Sequence, residues 1–304
     1  MEAQVTKASG VYVPFITPFT AEDTVDLEAL RAHIDFLIQE GVHGLIPTGS
    51  TGEAQSLSPE EYRSVVLETL DHTGGRVSVF VGCSANATRQ VIANCNLAEK
   101  HGANGVMVTH PFYSLPDADE LYEHYATVAR NVGIPIMVYN NPFTTGVDSK
   151  PDLLGRLSEL EHIEYVKESS LDSARIVSIL EESNDRLVVF SGTDNQALEH
   201  LSVGAKGWVS GAANVIPREC VELFSLAVEQ GRHDEALQLY RRLYPYLNIC
   251  EGTGKFVQVA KLGLELRGRQ AGGPRAPLLP VDAQLAEGVR VALNRALGAR
   301  QAVN

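Results

Sequence analysis

Eight short apolar, β-branched runs recur along the chain, each closed by turn residues. They are VYVPFIT (11–17), HGLIPTG (43–49), RVSVFVGC (76–83), GVMVTHP (105–111), PIMVYNNP (135–142), IEYVKES (163–169), RLVVFSGTD (186–194) and AKGWVSGAAN (205–214). Most are near-continuous rather than alternating, the pattern of parallel strands covered on both faces. Their starts lie 19 to 33 residues apart, the spacing of βα units. The intervening segments supply the helices. LEALRAHIDFLIQEG sets Leu27, Leu30, Ile34, Leu37 and Ile38 on one stripe and stops at Gly41. At SPEE, Ser58 caps, Pro59 takes the first helical position and Glu61 completes a capping box. Eight such units predict an α/β chain folded as a (β/α)8 TIM barrel with a C-terminal helical extension. An open doubly wound sheet is the alternative, disfavoured by the regular units and by the lack of GxGxxG after the first strand.

Beyond residue 216 the pattern is helical throughout. The first of these segments, IPRECVELFSLAVEQG, completes the eighth unit, so the expected division is a barrel domain over 1–231 and a helical region over 232–304. GGPRAPLLP (272–280) is the one clear irregular connector there.

With 304 residues, 44% of them hydrophobic, the chain can bury a large core. The opening MEAQVTKASG lacks the basic start and apolar stretch of a secretory signal, and no run is long enough to span a bilayer. A cytoplasmic protein with no membrane partner is expected. The net charge is −13 and no Lys/Arg cluster forms a nucleic-acid footprint, so no nucleic-acid partner is expected either. An anionic substrate must then be held by local donors against the global field. The four cysteines (83, 95, 220 and 250) show no CxxC spacing and read as reduced, mostly buried thiols.

In a barrel, chemistry sits at the C-terminal ends of the strands. These ends are rich in hydroxyls and hold one lysine, Lys167. They are poor in metal ligands, with no HExxH and only a lone His110, read as structural, so no metal and no cofactor are expected. EGTGK (251–255) imitates part of a P-loop, but Ile249 and Phe256 stand where that pattern needs Gly and Ser/Thr. Strand alternation places Lys167 on one face with Tyr165 and opposite Val166 and Glu168. If that face is the barrel interior, Glu168 cannot neutralise the lysine closely. Desolvation then favours the free amine, the form that attacks a carbonyl. An outward, solvated lysine is the competing reading. Tyr139 ends the neighbouring strand and is either a proton shuttle or an ordinary core tyrosine. Gly49-Ser50-Thr51-Gly52 is either a carboxylate cradle of amides and hydroxyls or merely a loop.

Taken together, ITPF (16–19), GSTGE (49–53), VGC (81–83), PFY (111–113), YNNP (139–142), KES (167–169), SGTD (191–194) and the GxxSGAAN segment resemble the dihydrodipicolinate synthase/N-acetylneuraminate lyase family of class I aldolases. The resemblance covers roughly residues 10–265. It implies a Schiff base between Lys167 and the ketone of pyruvate or another 2-oxo acid, with Tyr139 as general acid/base. Ser50 and Thr51, beside Gly49, would hold the carboxylate. Tyr113 would reach a neighbouring subunit of a homotetramer and complete a proton relay that includes Thr51 or Ser50. Ser169, Gly192, Asp194 and Val209 join the substrate-binding set.

The resemblance is less uniform at the second substrate. Synthases of the family carry Arg two residues after the proline of the Tyr-Asn-x-Pro segment, where this chain has Thr144, which lacks the bidentate fork that a carboxylate wants. Against the sialic acid lyases, Ser169, Gly211 and Asn195 are departures. The expected function is a Schiff-base lyase, aldolase or dehydratase, acting on pyruvate or a small hydroxylated 2-oxo acid. The alternatives are dihydrodipicolinate synthase, N-acetylneuraminate lyase, or a non-enzymatic 2-oxo-acid sensor.

Overall fold

The computed structural model describes residues 7–298. Eight parallel strands close into a barrel in sequence order: β1 (Gly10–Pro14), β2 (Gly44–Ile46), β3 (Ser78–Gly82), β4 (Gly105–Thr109), β5 (Ile136–Asn140), β6 (Ile163–Glu168), β7 (Val188–Ser191) and β8 (Gly207–Val209). Closure is made by β1 on β8, where Tyr12 pairs with Val209. The barrel expected from the run spacing is the fold observed.

Two cores follow from the two faces of these strands. Outward residues such as Val11, Val13, Val81, Val106, Val138, Val166 and Val189 pack under the helices. Inward residues form a separate cluster of Tyr12, Ile46, Phe80, Met107, Met137, Tyr139, Tyr165, Phe190 and Val209. Tyr12, Phe80, Tyr165 and Phe190 meet edge to face with ring centroids 5.3–6.1 Å apart, a geometry that adds to simple area burial. Such large rings fit only beside very small neighbours. A Cβ at Gly44 would lie 2.2 Å from Tyr12, and one at Gly207 2.1 Å from Phe190.

The helices α1 (Leu27–Gln39), α2 (Pro59–Thr73), α3 (Thr88–Lys100) and α4 (Ala118–Ala129) follow β1 to β4. Leu30, Ile34 and Leu37 of the expected α1 stripe are fully buried, and Leu27 and Ile38 pack against the same core. The capping box at Ser58 forms as read, with Pro59 opening α2. A second box at Asp117 and Glu120 opens α4. Two helices, α5 (Pro142–Thr145) and α6 (Pro151–Leu157), connect β5 to β6. Short helices α7 (Ala174–Glu182) and α8 (Ala197–Ser202) fit the tighter spacing of the last strands, and α9 (Pro217–Phe224) completes the barrel. Beyond it lie α10 (His233–Gly252), α11 (Phe256–Leu266) and α12 (Ala283–Leu297). Leu243, Leu247, Leu264 and Leu293 from these three belong to the outer core cluster. The C-terminal end of α10 reaches over the top of the barrel, which brings its residues to the strand ends.

Between Ile136 and Met137 the register on β6 shifts from Ile163 to Tyr165, a bulge at Glu164. Ile163 therefore faces outward and Tyr165 inward, and the inward face continues to Lys167.

Candidate active site

Lys167 sits near the end of β6, opposite Tyr139 of β5 in the ladder. It is only 6% exposed, and its Nζ lies 3.8 Å from the centroid of the Tyr139 ring. Among the described residues no carboxylate pairs with it and no acceptor takes its hydrogens. Glu168 points to the other side of the strand, as alternation requires. There it accepts from the Asn140 side chain at 3.0 Å and from the Ser170 amide at 2.7 Å, and burial raises its pKa. Asn140 also binds Asp148 at 3.1 Å, which is clamped bidentately by Arg175 at 2.6 Å. Glu168, the next residue after Lys167, and Asp148 are thus committed on the outer side of β6.

A cavity of about 200 Å³ opens above this lysine. Ser50, Thr51, Tyr139, Thr144, Lys167, Ser169, Gly192, Asp194 and Val209 all line it, so most of the residues expected from sequence converge. Gly49 lines an adjoining cavity that shares Ser50, Tyr139 and Thr144. Tyr113 lines neither and is 86% exposed.

The Gly49-to-Glu53 turn is held open in an unusual way. Thr48 and Glu53, which flank it, both adopt positive φ, 53° and 54°, a conformation that costs a non-glycine residue and clusters at functional sites. The amides of Ser50 and Thr51 donate to no acceptor among the described residues. Two free N–H groups beside two hydroxyls suit a carboxylate. Thr48 Oγ1 donates to the carbonyls of Pro47 at 2.8 Å and Gly82 at 2.9 Å, tying the turn to β3.

The Tyr139 hydroxyl accepts a hydrogen bond from the Asn141 side chain at 2.9 Å. Asn141 also caps α5 by accepting from the Thr144 amide at 3.2 Å. Thr144 therefore stands in the first turn of a short capped helix at the cavity rim, beside the exposed Phe143. Gly192 has no room for a side chain. A Cβ there would lie 2.0 Å from Ser169 Oγ and 2.9 Å from Lys167 Cγ. The Ser169 hydroxyl is buried and has no hydrogen-bond partner among the described residues.

Asp194 is fully engaged. Its Oδ1 accepts from Trp208 Nε1 at 3.1 Å and Ser210 Oγ at 2.7 Å, and its Oδ2 from the Ala212 amide at 2.8 Å. Burial and the neighbouring Glu251 push its pKa up to about 7, against the pull of Ser210 and Ala212. Glu251 was not foreseen. It enters from α10, lines the cavity, and accepts the Asp194 amide at 2.9 Å; burial raises its pKa too, against Lys167. In sequence it is the first residue of EGTGK, a segment whose only evident pattern was a failed P-loop. Asn141 and Phe256 were likewise not assigned to the site.

His110 is a core residue, bridging the Tyr125 hydroxyl at 2.9 Å and Asn140 Oδ1 at 3.1 Å, with burial lowering its pKa to about 4. All four cysteines are buried and unpaired. Among the described residues no cluster of His, Cys, Asp and Glu could hold a metal, and no helix is long and apolar enough to cross a membrane.

A family model described as "Dihydrodipicolinate synthetase family" matches residues 7–296. The 4-hydroxy-tetrahydrodipicolinate synthase of Nitrobacter hamburgensis is 38% identical over 292 residues, covering 96% of this chain and 97% of that one. The synthase of the same name from Methanospirillum hungatei is 36% identical, covering 94% and 98%. Among solved structures, the 4-hydroxy-tetrahydrodipicolinate synthase of Methylacidiphilum fumariolicum SolV superposes with a TM-score of 0.92 at 33% identity, covering 96% of each chain. The dihydrodipicolinate synthase of Acinetobacter baumannii, solved with pyruvate bound, gives 0.90 at 31% identity, covering 95% of this chain and 98% of that one. Sequence and fold agree over almost the whole length: the chain belongs to the dihydrodipicolinate synthetase family and is a class I, Schiff-base-forming lyase.

Proposed function

We propose that Lys167 is the Schiff-base nucleophile and that the substrate is pyruvate or a small hydroxylated 2-oxo acid that releases pyruvate. The observation carrying this is the environment of Nζ: inside the barrel, without a carboxylate partner, 3.8 Å from the Tyr139 ring centroid. The free amine attacks the C2 carbonyl. Tyr139 delivers a proton to the carbinolamine hydroxyl, which leaves as water, and an iminium remains. Cleavage of the C3–C4 bond then sends its electron pair into the iminium as the C4 hydroxyl gives up its proton, yielding an aldehyde and an enamine. Protonation at C3 and hydrolysis return pyruvate and the amine. In a dehydratase the iminium instead acidifies the C3–H bond; loss of that proton gives an enamine, whose electron pair expels the protonated C4 hydroxyl as water. Ser50 and Thr51, with their free amides, hold the substrate carboxylate, and the Asn141 bond sets the Tyr139 phenol.

The second substrate distinguishes two readings. The curated relatives are named as synthases, which favours condensation of pyruvate with aspartate semialdehyde. Among the described residues, however, no arginine lines the cavity, and Thr144 occupies the rim. A second carboxylate has no guanidinium to meet it, which favours a hydroxylated, uncharged partner. The chain is read as cytoplasmic and homotetrameric, with the exposed Tyr113 completing a proton relay in a neighbouring subunit. Residues 1–231 are read as the catalytic barrel and 232–304 as its helical region. The test is a screen of 3-deoxy-2-oxo acids for pyruvate release or water loss, beside aspartate semialdehyde with pyruvate. Turnover of a hydroxylated acid that vanishes in Lys167→Ala supports the proposal. Ordinary rates with aspartate semialdehyde alone would establish the synthase reading instead.

A further inference from the structure

The cavity above Lys167 carries an acid that the proposed steps do not use. Of the two carboxyl groups lining it, Asp194 has both oxygens occupied by Trp208, Ser210 and Ala212. Glu251 has only one occupied: Oε2 accepts the Asp194 amide, while Oε1 takes no hydrogen bond among the described residues. The buried Ser169 hydroxyl in the same cavity is also unpartnered. A buried hydroxyl such as that of Ser169, left unpaired, is costly unless a ligand satisfies it. The positions of these groups matter too. The carboxylate cradle follows β2, across the barrel from Lys167 on β6, while Asp194 and Gly211 follow β7 and β8 and Glu251 closes that side from α10.

We infer that Glu251 is a specificity-determining residue, whose free oxygen accepts hydrogen bonds from the hydroxyls of an uncharged, polyhydroxylated arm beyond C3 of the bound 2-oxo acid. The inference rests on the Schiff-base reading of Lys167. The arm lies on the β7–β8 side, with Ser169 as a second polar contact. A carboxylate acceptor discriminates in both directions. It rewards a hydroxyl donor, and it repels an arm that ends in a second carboxylate, because among the described residues no arginine lines the cavity to neutralise it. Asp194, which carries no free oxygen, fixes Glu251 through its amide and is a positioning residue.

The test compares wild type with Glu251→Gln, which keeps an oxygen for the Asp194 amide. Two probes are used: a six-carbon 3-deoxy-2-oxo sugar acid with a neutral arm, and a five-carbon 4-hydroxy-2-oxo diacid. Borohydride trapping with pyruvate alone is run beside them. Wild type should prefer the neutral arm. Glu251→Gln should lose about 10- to 100-fold in kcat/KM on it, the range of a hydrogen bond to a charged group. The same variant should hold or gain on the diacid and trap pyruvate at Lys167 as well as wild type does. An unchanged preference between the two probes in Glu251→Gln would overturn the inference while leaving Lys167 as nucleophile, and so would a wild-type preference for the diacid. Failure of wild type to trap pyruvate at Lys167 would overturn the underlying reading and this inference with it.

Discussion

Gly192 shows how little freedom the site has at the scale of one residue. Its backbone passes so close to β6 that a methyl group would lie 2.0 Å from Ser169 Oγ and 2.9 Å from Lys167 Cγ. Ser169 can rotate away, but the lysine stem is buried and cannot move without displacing Nζ from the Tyr139 ring. Gly192→Ala should therefore lower kcat by more than tenfold and reduce stability by about 1–3 kcal/mol, the usual cost of overpacking. Parallel kinetic and urea-unfolding measurements would check both. Wild-type kcat in this variant would mean that the position of Lys167 is not fixed by its neighbours. The same scale explains why Lys167 could be found in the sequence. Alternation put it on the face of Tyr165 and put Glu168 on the other, and the structure keeps that separation. Glu251 could not be found, because nothing local marks it. It reaches the cavity through the path of α10, whose Leu243 and Leu247 are buried in the outer core among residues from distant segments.

Among the elements, the Gly49-to-Glu53 turn depends on the C-terminal region. Glu53 is buried with Oε1 2.7 Å from Lys261 Nζ of α11, and its Oε2 accepts the Arg275 amide at 2.8 Å. Lys261 also donates to the Gly273 carbonyl at 2.8 Å and lies 4.3 Å from the Phe19 ring centroid. These contacts anchor the end of the proposed carboxylate cradle. Removing one partner leaves a buried charge unmatched, at a cost of roughly 3–5 kcal/mol. Glu53→Gln and Lys261→Met should each destabilise by that order and raise KM for pyruvate. The double variant should be less destabilised than the sum of the two. Strict additivity in urea unfolding would show that the pair is not coupled. Sequence reading recovered the eight strands and the Ser58 cap because apolar runs and capping residues are local signals. It did not reveal the Glu164 bulge, which has no glycine to mark it, or α5, a four-residue helix made by the Asn141 cap. The link from Glu53 to Lys261 joins distant segments and likewise has no local pattern.

Over the whole molecule, four buried histidines share one electrostatic fate. His33, His110, His124 and His200 are each lowered by burial from 6.5 to about 4. Between those values the unfolded chain binds more protons than the folded one, so stability is fully present above pH 6.5 and falls as pH drops toward 4. Asp194, raised to about 7, works in the opposite direction. A matched variant cancels that opposition. Relative to His110→Gln, wild type should lose about 2 kcal/mol of unfolding free energy between pH 7 and pH 5. Urea unfolding at the two values measures this, and an equal loss in both proteins would contradict a buried, neutral His110.

The central claim is chemical, and it concerns one atom. Sodium borohydride added to the protein with pyruvate should reduce the iminium to a stable secondary amine. Peptide mass mapping should then find a single pyruvate-derived adduct on the peptide carrying Lys167, and none in Lys167→Ala. An adduct on another lysine, or no adduct at all in wild type, would contradict the account.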